Sequence, residues 1–264
     1  YNTTYHRASS VADAAAQQAA AEDGKYVSGG MTLIATMKQR LASPSDLVDL
    51  RHIAELKGIT VNGRNVRIGA ATTHFEVATS AALKAVCPAI SNLASMIGDP
   101  HVRHMGTIGG SVANNDPASS NPAPQPRHEL GNGRAVAARA AAAEVGEIAG
   151  LFETVLEPGE IITAFEFEAP AKAGYSKFPN PASRYAMAGV FVAKAGDGSV
   201  RVAVTGAGSS GVFRHAGMEQ ALAANWSPDA VAGQAVDASD LLSDIHGSSE
   251  YRANLVKVMA KRAV

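Results

Sequence analysis

At 264 residues the chain is long enough for two or three packed units, and 46% hydrophobic with 18% charged residues describes an ordinary globular protein. A net charge of −1 excludes a strongly basic nucleic-acid or membrane-surface binder, and no apolar run approaches the length of a membrane span. A single cysteine, Cys87, excludes an internal disulfide, an all-cysteine zinc site and an iron–sulfur cluster held by this chain alone. Lacking a signal-peptide pattern, the sequence reads as cytoplasmic.

In chain order, residues 10–23 predict a helix after a Ser9-Ser10 cap, with Val11 and Ala14 inward. Lys25 to Val27 reads as a short strand, interrupted by Ser28-Gly29-Gly30 and followed by a helical pattern from Leu33 to Arg40. Leu47 to Leu50 is a strand, and residues 59–69 form a hairpin around an Asn62-Gly63 turn. Thr73–Thr79 and Ala81–Ala94 are helical, and Cys87, before Pro88, reads as a small buried hydrophobe. This pattern implies an α/β or α+β unit.

Residues 99–122 are dense in Gly, Asn, Asp, Pro and Ser, and from Pro122 to about Glu147 Ala, Arg and Pro dominate. Order returns at Leu151 to Gly159, and a strand from Ile161 to Phe167 closes the first unit. The last ~95 residues read as a separate α+β unit. It has strands at Tyr185–Lys194 and Val200–Thr205 joined at Asp197-Gly198, a Gly/Ser corner at 206–211, and helices at 218–224, 229–235 and 251–262.

Two Gly-Gly segments carry the chemistry. Ser28-Gly29-Gly30-Met31-Thr32 lies between a strand and a helix; Thr107-Ile108-Gly109-Gly110-Ser111 lies in the polar stretch. Glycine lets consecutive backbone N–H groups approach an anion, and flanking hydroxyls add donors, so two such loops can clasp a diphosphate. Each also reads as a tight turn, and neither is a dinucleotide fingerprint or a phosphate loop. His101 and His104 lack the carboxylates of a metal site, His215 reads as exposed in a turn, and Ser209-Ser210-Gly211 lacks the flanks of a nucleophile elbow. Tyr175, Lys177, Arg184 and Tyr185 cluster before the first strand of the second unit, as a linker or as an aromatic and a cation reaching over a planar cofactor.

The strings SGGMTLIATMKQRLASPSDLVDL (28–50) and DPHVRHMGTIGGSVANNDPAS (99–119), with LVDLR (47–51) and LFETVLEPGEI (151–161), resemble the flavoprotein medium subunits of molybdenum hydroxylases of the carbon monoxide dehydrogenase and xanthine dehydrogenase family. The resemblance covers about nine-tenths of the chain and implies an α+β fold. A two-lobed FAD-binding domain of the vanillyl-alcohol-oxidase/PCMH type (1–170, lobes about 1–57 and 58–170) is followed by a smaller α+β domain (171–264). It implies FAD on this chain, with the diphosphate wrapped by Ser28 to Thr32 and by Thr107 to Ser111. Tyr185 and Lys177 are then expected near the isoalloxazine, and Ile162 in apolar or main-chain contact with it. It further implies a small subunit carrying [2Fe-2S] clusters and a large subunit carrying the molybdenum cofactor, in a dimer of heterotrimers, with this chain relaying electrons to an external acceptor and no catalytic acid or base of its own. Two features depart from the family. Asp116-Pro117 is present, but Ser120 stands where a second acid is expected to hold the flavin's chain or ring edge. Ala123 to Glu147 lacks the apolar strand usual there. A freestanding flavin oxidoreductase and a non-catalytic assembly subunit with a degenerate flavin site remain the alternatives.

Overall fold

The computed structural model describes residues 2–114, 127–130, 156 and 159–264; for 127–130 the backbone alone is described. Asp116, Ser120 and most of 123–147 fall outside the described residues.

The chain opens with a strand that sequence patterning misses, β1 (Thr4–Arg7), because its TYHR string is largely exposed. Helix α1 (Val11–Ala20) follows, capped as expected by Ser10, whose side chain accepts from the Asp13 N–H. Strand β2 (Gly24–Val27), helix α2 (Leu33–Lys38) and strand β3 (Asp46–Asp49) complete a parallel three-stranded sheet in the order β1-β3-β2. Ala14, Val48, Leu50, Ile53 and Leu56 are buried together beneath it, joined by Ala71 and Ile161 from later in the chain.

A second, antiparallel sheet has the order β4-β5-β7-β6. Its hairpin pairs β4 (Ile59–Asn62) with β5 (Asn65–Gly69), and the pairing of Asn62 with Asn65 makes Gly63-Arg64 the two-residue loop. The turn therefore lies one residue later than the Asn-Gly dipeptide suggests. Gly63 has φ +60°, and a glycine with left-handed φ at the first loop position is what a type II′ hairpin requires. Strand β7 (Ile162–Glu168) pairs with β5, opposing Ile68 to Phe165 and Val66 to Phe167, and β6 (Arg127–Leu130) lies on its other side.

Helices α3 (His74–Thr79), α4 (Ala81–Val86) and α5 (Pro88–Ser95) cover this sheet, burying Val77, Leu83 and Leu93 against Ile68 and Phe165. The single helix expected over 81–94 is thus two. Pro88 lacks an N–H and bars the residue before it from helical geometry, so Cys87 takes φ −148° and the chain bends. Cys87 is buried, as its sequence context implies.

The stretch after Gly98, dense in Gly, Pro and Asn, also holds helices. In α6 (Pro100–Met105) Asp99 caps by accepting from the His101 N–H at 2.7 Å with Pro100 in the first turn, and α7 (Ile108–Asn114) follows.

The third sheet has the order β11-β10-β9-β8. Its first strand is β8 (Lys172–Pro179), not the segment starting at Tyr185; β9 (Ala186–Lys194), β10 (Val200–Thr205) and β11 (Phe213–Arg214) follow. Residues 175 and 177 are therefore strand and not linker. Eight of the nine residues of β9 are buried, the pattern of a strand covered on both faces. Val190 and Val192 face helices α8 (Ala216–Ala224), α9 (Pro228–Ala232) and α10 (Ser249–Ala263). Phe191 and Ala193 face the other way and join Tyr175 in the core of the second sheet. His215 is not a free turn residue. Its ring accepts from the Met218 N–H and caps α8, while Nε2 lies 3.0 Å from the Ala235 carbonyl. The architecture is a mixed α+β one. Among the described residues, no helix is long and apolar enough to cross a membrane.

Candidate functional site

A cleft of about 780 Å³ opens where the ends of the first sheet, α7, β7 and the residues after β8 converge. Ser28, Gly29, Gly30, Met31 and Thr32 all line it, as do Thr107, Gly109, Gly110 and Ser111. Ile162, Lys177 and Tyr185 line it too. Two of the expected residues do otherwise within the described part of the chain. Ile108 is 6% exposed and turns into the hydrophobic core, and Tyr175, 5% exposed, lies 6.4 Å from the Phe191 ring.

The two glycine loops behave differently. The first connects β2 to α2, and Gly30 at φ +70° reverses the chain between them. Among the described residues, the N–H groups of Gly29, Gly30, Met31 and Thr32 have no acceptor, which leaves a row of donors at the cleft. The second motif is the opening turn of α7, and the N–H groups of Ile108 to Ser111 are already used. Ile108 donates to the Thr72 carbonyl, Gly109 to that of Ala70 and Gly110 to the Thr107 hydroxyl. Here glycine serves close packing: a Cβ on Gly109 would lie 2.6 Å from that of Ala70. What this motif turns toward the cleft is the exposed face of Gly110 and the Ser111 side chain.

The motifs, 79 positions apart, touch: Thr107 Oγ1 donates to Ser28 Oγ at 3.1 Å. A Cβ on Gly29 would sit 2.2 Å from the Met105 carbonyl oxygen, so only glycine permits the two backbones to meet there. Gly29→Ala is expected to separate them and to destabilise the chain by about 1–3 kcal/mol, the usual cost of overpacking. A urea-unfolding midpoint unchanged from wild type would refute the contact.

Sequence reading passes over His74. It occupies the first position of α3, whose cap, Thr73, forms a reciprocal capping box with Glu76. The ring is 4% exposed, lines the cleft wall and places Nε2 2.9 Å from Ser111 Oγ. Burial disfavours its charged form and pushes its pKa down to about 4. A capping box predicts a helix start, but not that the residue after the cap turns inward.

The opposite wall is apolar where Leu50, Leu56, Ile161 and Ile162 meet. Lys177 closes one end. Its Nζ donates to the carbonyls of Met96 at 2.5 Å and Arg184 at 3.0 Å, and burial lowers its pKa to about 8. Arg184 holds a left-handed φ of +60°, uncommon for a side chain with Cβ, and presents Tyr185, 52% exposed, at the mouth. His101 and His104 lie outside: His101 pairs with Asp99, and the His104 ring stacks 4.2 Å from Phe75. Among the described residues no group of His, Cys, Asp and Glu is arranged to hold a metal.

A row of open N–H donors beside the hydroxyls of Ser28, Thr32 and Ser111, continuing into an apolar slot with a lysine and a tyrosine, suits an elongated ligand. That ligand is anionic in its middle and flat and apolar at one end, which fits a flavin dinucleotide.

Comparison with known proteins agrees with this chemistry. A family model described as the FAD binding domain in molybdopterin dehydrogenase matches residues 1–169. The carbon monoxide dehydrogenase medium chain of Afipia carboxidovorans is 35% identical, over 98% of this chain and 94% of that one. The nicotine 6-hydroxylase medium subunit of Paenarthrobacter nicotinovorans is 32% identical over 98% and 95%. Among solved structures, reconstituted CO dehydrogenase from Oligotropha carboxidovorans includes a chain that superposes with a TM-score of 0.83 at 34% identity, covering 100% of this chain and 96% of that one.

Proposed function

Because this chain belongs to the FAD-binding medium subunits of the carbon monoxide dehydrogenase/xanthine dehydrogenase family of molybdenum hydroxylases, we propose that its cleft holds FAD non-covalently and relays electrons from a partner's iron–sulfur clusters to an external acceptor. The observation that carries this reading is the row of open N–H groups from Gly29 to Thr32 beside the apolar slot.

Bound flavin supplies the redox chemistry, and the protein binds, orients and shields it. The first glycine loop receives the diphosphate on its N–H groups, with Ser28, Thr32 and Ser111 adding hydroxyls. Leu56 and Ile162 exclude water from the ring's edge, and Tyr185 screens the mouth. Asp116 and Ser120 are expected to extend the same contacts. In this reading residues 1–170 form the two-lobed flavin domain, and 171–264 supply the sheet that carries Lys177 and Tyr185 to it.

Cys87 is buried and its thiol pKa is raised by that burial, so it suits a packing role and not cluster ligation. Reducing equivalents then have to come from a cysteine-rich small subunit, supplied by a large molybdopterin subunit that oxidises the substrate, in a cytoplasmic dimer of heterotrimers. Affinity purification of the tagged chain from its native cells is expected to bring both subunits down in equal amounts. Recovery of a lone chain that oxidises substrate unaided would contradict the relay. The visible spectrum and metal content of the purified material decide among the readings. Flavin with molybdenum and iron supports this one, flavin alone indicates a freestanding flavoenzyme, and absence of flavin indicates an assembly subunit.

A further inference from the structure

The Ser111 hydroxyl can donate one hydrogen bond while accepting another, and His74 Nε2 lies 2.9 Å from its oxygen. The imidazole has little freedom. The His74 backbone N–H donates to the Gly106 carbonyl at 3.0 Å, the capping box fixes the start of α3, and even a Cβ on Gly106 would come within 3.2 Å of the ring's Cδ2. Which ring nitrogen carries the proton therefore decides what Ser111 offers the cleft. With the proton on Nδ1, the serine hydroxyl spends its hydrogen on Nε2 and turns lone pairs toward any ligand. With the proton on Nε2, the ring donates to Oγ and the hydroxyl hydrogen is left for the ligand. Because α7 has already committed the N–H groups of Ile108, Gly109 and Gly110, this hydroxyl matters to an anion on that side.

We propose that His74 is a positioning residue for the diphosphate of the bound dinucleotide: its Nε2–H donates to Ser111 Oγ and turns the serine hydroxyl hydrogen toward a phosphate oxygen. The inference rests on the flavin reading above and adds a residue to it. The two hydrogen bonds run in one direction and polarise each other, so each strengthens the other. Burial keeps the imidazole neutral around pH 7, so one donor and one acceptor are what the ring has to assign.

Three measurements on the full chain test it. Nitrogen-15 chemical shifts of His74 in the wild-type protein should report the Nε2–H tautomer; the Nδ1–H tautomer overturns the proposal without any substitution. FAD and ADP are then titrated into the deflavinated wild-type, His74→Leu, Ser111→Ala and doubly substituted proteins. ADP carries the diphosphate without the ring. Each single change is expected to weaken both ligands about tenfold, and the double change little more than either alone. His74→Gln, whose amide nitrogen can reach the place of Nε2, should return affinity to within about threefold of wild type. Independent losses that multiply to about a hundredfold, or a glutamine variant as weak as leucine, would make His74 a packing residue only. If the wild-type chain binds neither FAD nor ADP, the flavin reading falls and this inference with it. If it binds both and the losses multiply, only the role given to His74 is lost.

Discussion

Gly110→Asp is expected to abolish stoichiometric flavin binding while leaving the fold intact. Gly110 lies on the exposed side of α7, and a Cβ there would meet one atom, the Thr107 hydroxyl, at 2.9 Å, so Thr107 has to give by a few tenths of an ångström in the aspartate and alanine variants alike. Its φ is not left-handed, so aspartate brings no backbone strain. An acidic side chain in the first turn of a helix is if anything favourable. The cost falls on the ligand. Two like unit charges about 4 Å apart repel by about 4 kcal/mol at the dielectric of a partly buried site, close to a thousandfold in affinity. The purified variant should show wild-type circular dichroism and no visible flavin absorbance. Gly110→Ala is the control: without the charge, it should lose far less. Full flavin content in the aspartate variant would mean that the diphosphate lies elsewhere in the cleft.

Gly109, the neighbouring residue, shows why the two glycines of one motif cannot be read alike. Both look like backbone left bare for an anion. Gly109 is bare because Ala70 presses against it, and its N–H serves the Ala70 carbonyl. No local pattern in the sequence distinguishes a glycine needed by a ligand from one needed by a neighbour brought in from about forty positions away. The first motif was more legible. A strand ending at Val27, a glycine with left-handed φ and a helix beginning at Leu33 form a strand–turn–helix corner, and that order is visible in the sequence itself.

Strand β8 was illegible for a similar reason. Lys172, Gly174, Lys177 and Pro179 break any apolar alternation, and the strand holds its place by pairing along its whole length with β9. A Cβ on Gly174 would lie 1.9 Å from the Ala263 carbonyl, so that glycine records the approach of the C-terminal helix and not a turn. By contrast β9 and β10 are runs of Val, Ala and Phe that bury nearly every residue, and they read correctly from composition alone. The clustering of Tyr175 with Lys177 and Tyr185 misled because nearness in sequence does not separate core from cleft: on one face of β8, Tyr175 packs against Phe191 in the core while Lys177 reaches the cleft. The pairing of β8 with β9 shifts at Phe178/Pro179, and Tyr185 lies beyond the strand on a loop set by Arg184.

Acid should destabilise this protein through His74 well before it reaches the paired carboxylates. In the unfolded chain the imidazole titrates near 6.5, whereas in the folded protein burial holds it neutral down to about 4. Between those values the unfolded state binds a proton that the native state does not, so stability falls as pH is lowered. The slope is about 1.4 kcal/mol per pH unit, and the total comes to about 3 kcal/mol by pH 4. That is a large share of the roughly 5–15 kcal/mol that holds a typical domain together. Asp49 titrates in a separate window. It is fully buried beneath a bidentate Arg51 and accepts from Tyr5, and these partners outweigh its desolvation to hold its pKa at about 2. Its contribution is complete above about pH 4 and is lost only as pH falls through the range below. Urea unfolding of the deflavinated chain at a series of pH values should therefore show a loss between pH 6.5 and 4 that is absent from His74→Gln, which has no proton to bind. Below pH 4 both proteins should decline together. Parallel curves for the two across the upper range would show that the ring is hydrated in solution, and the wall of the cleft at Ser111 would then be more open than its 4% exposure implies.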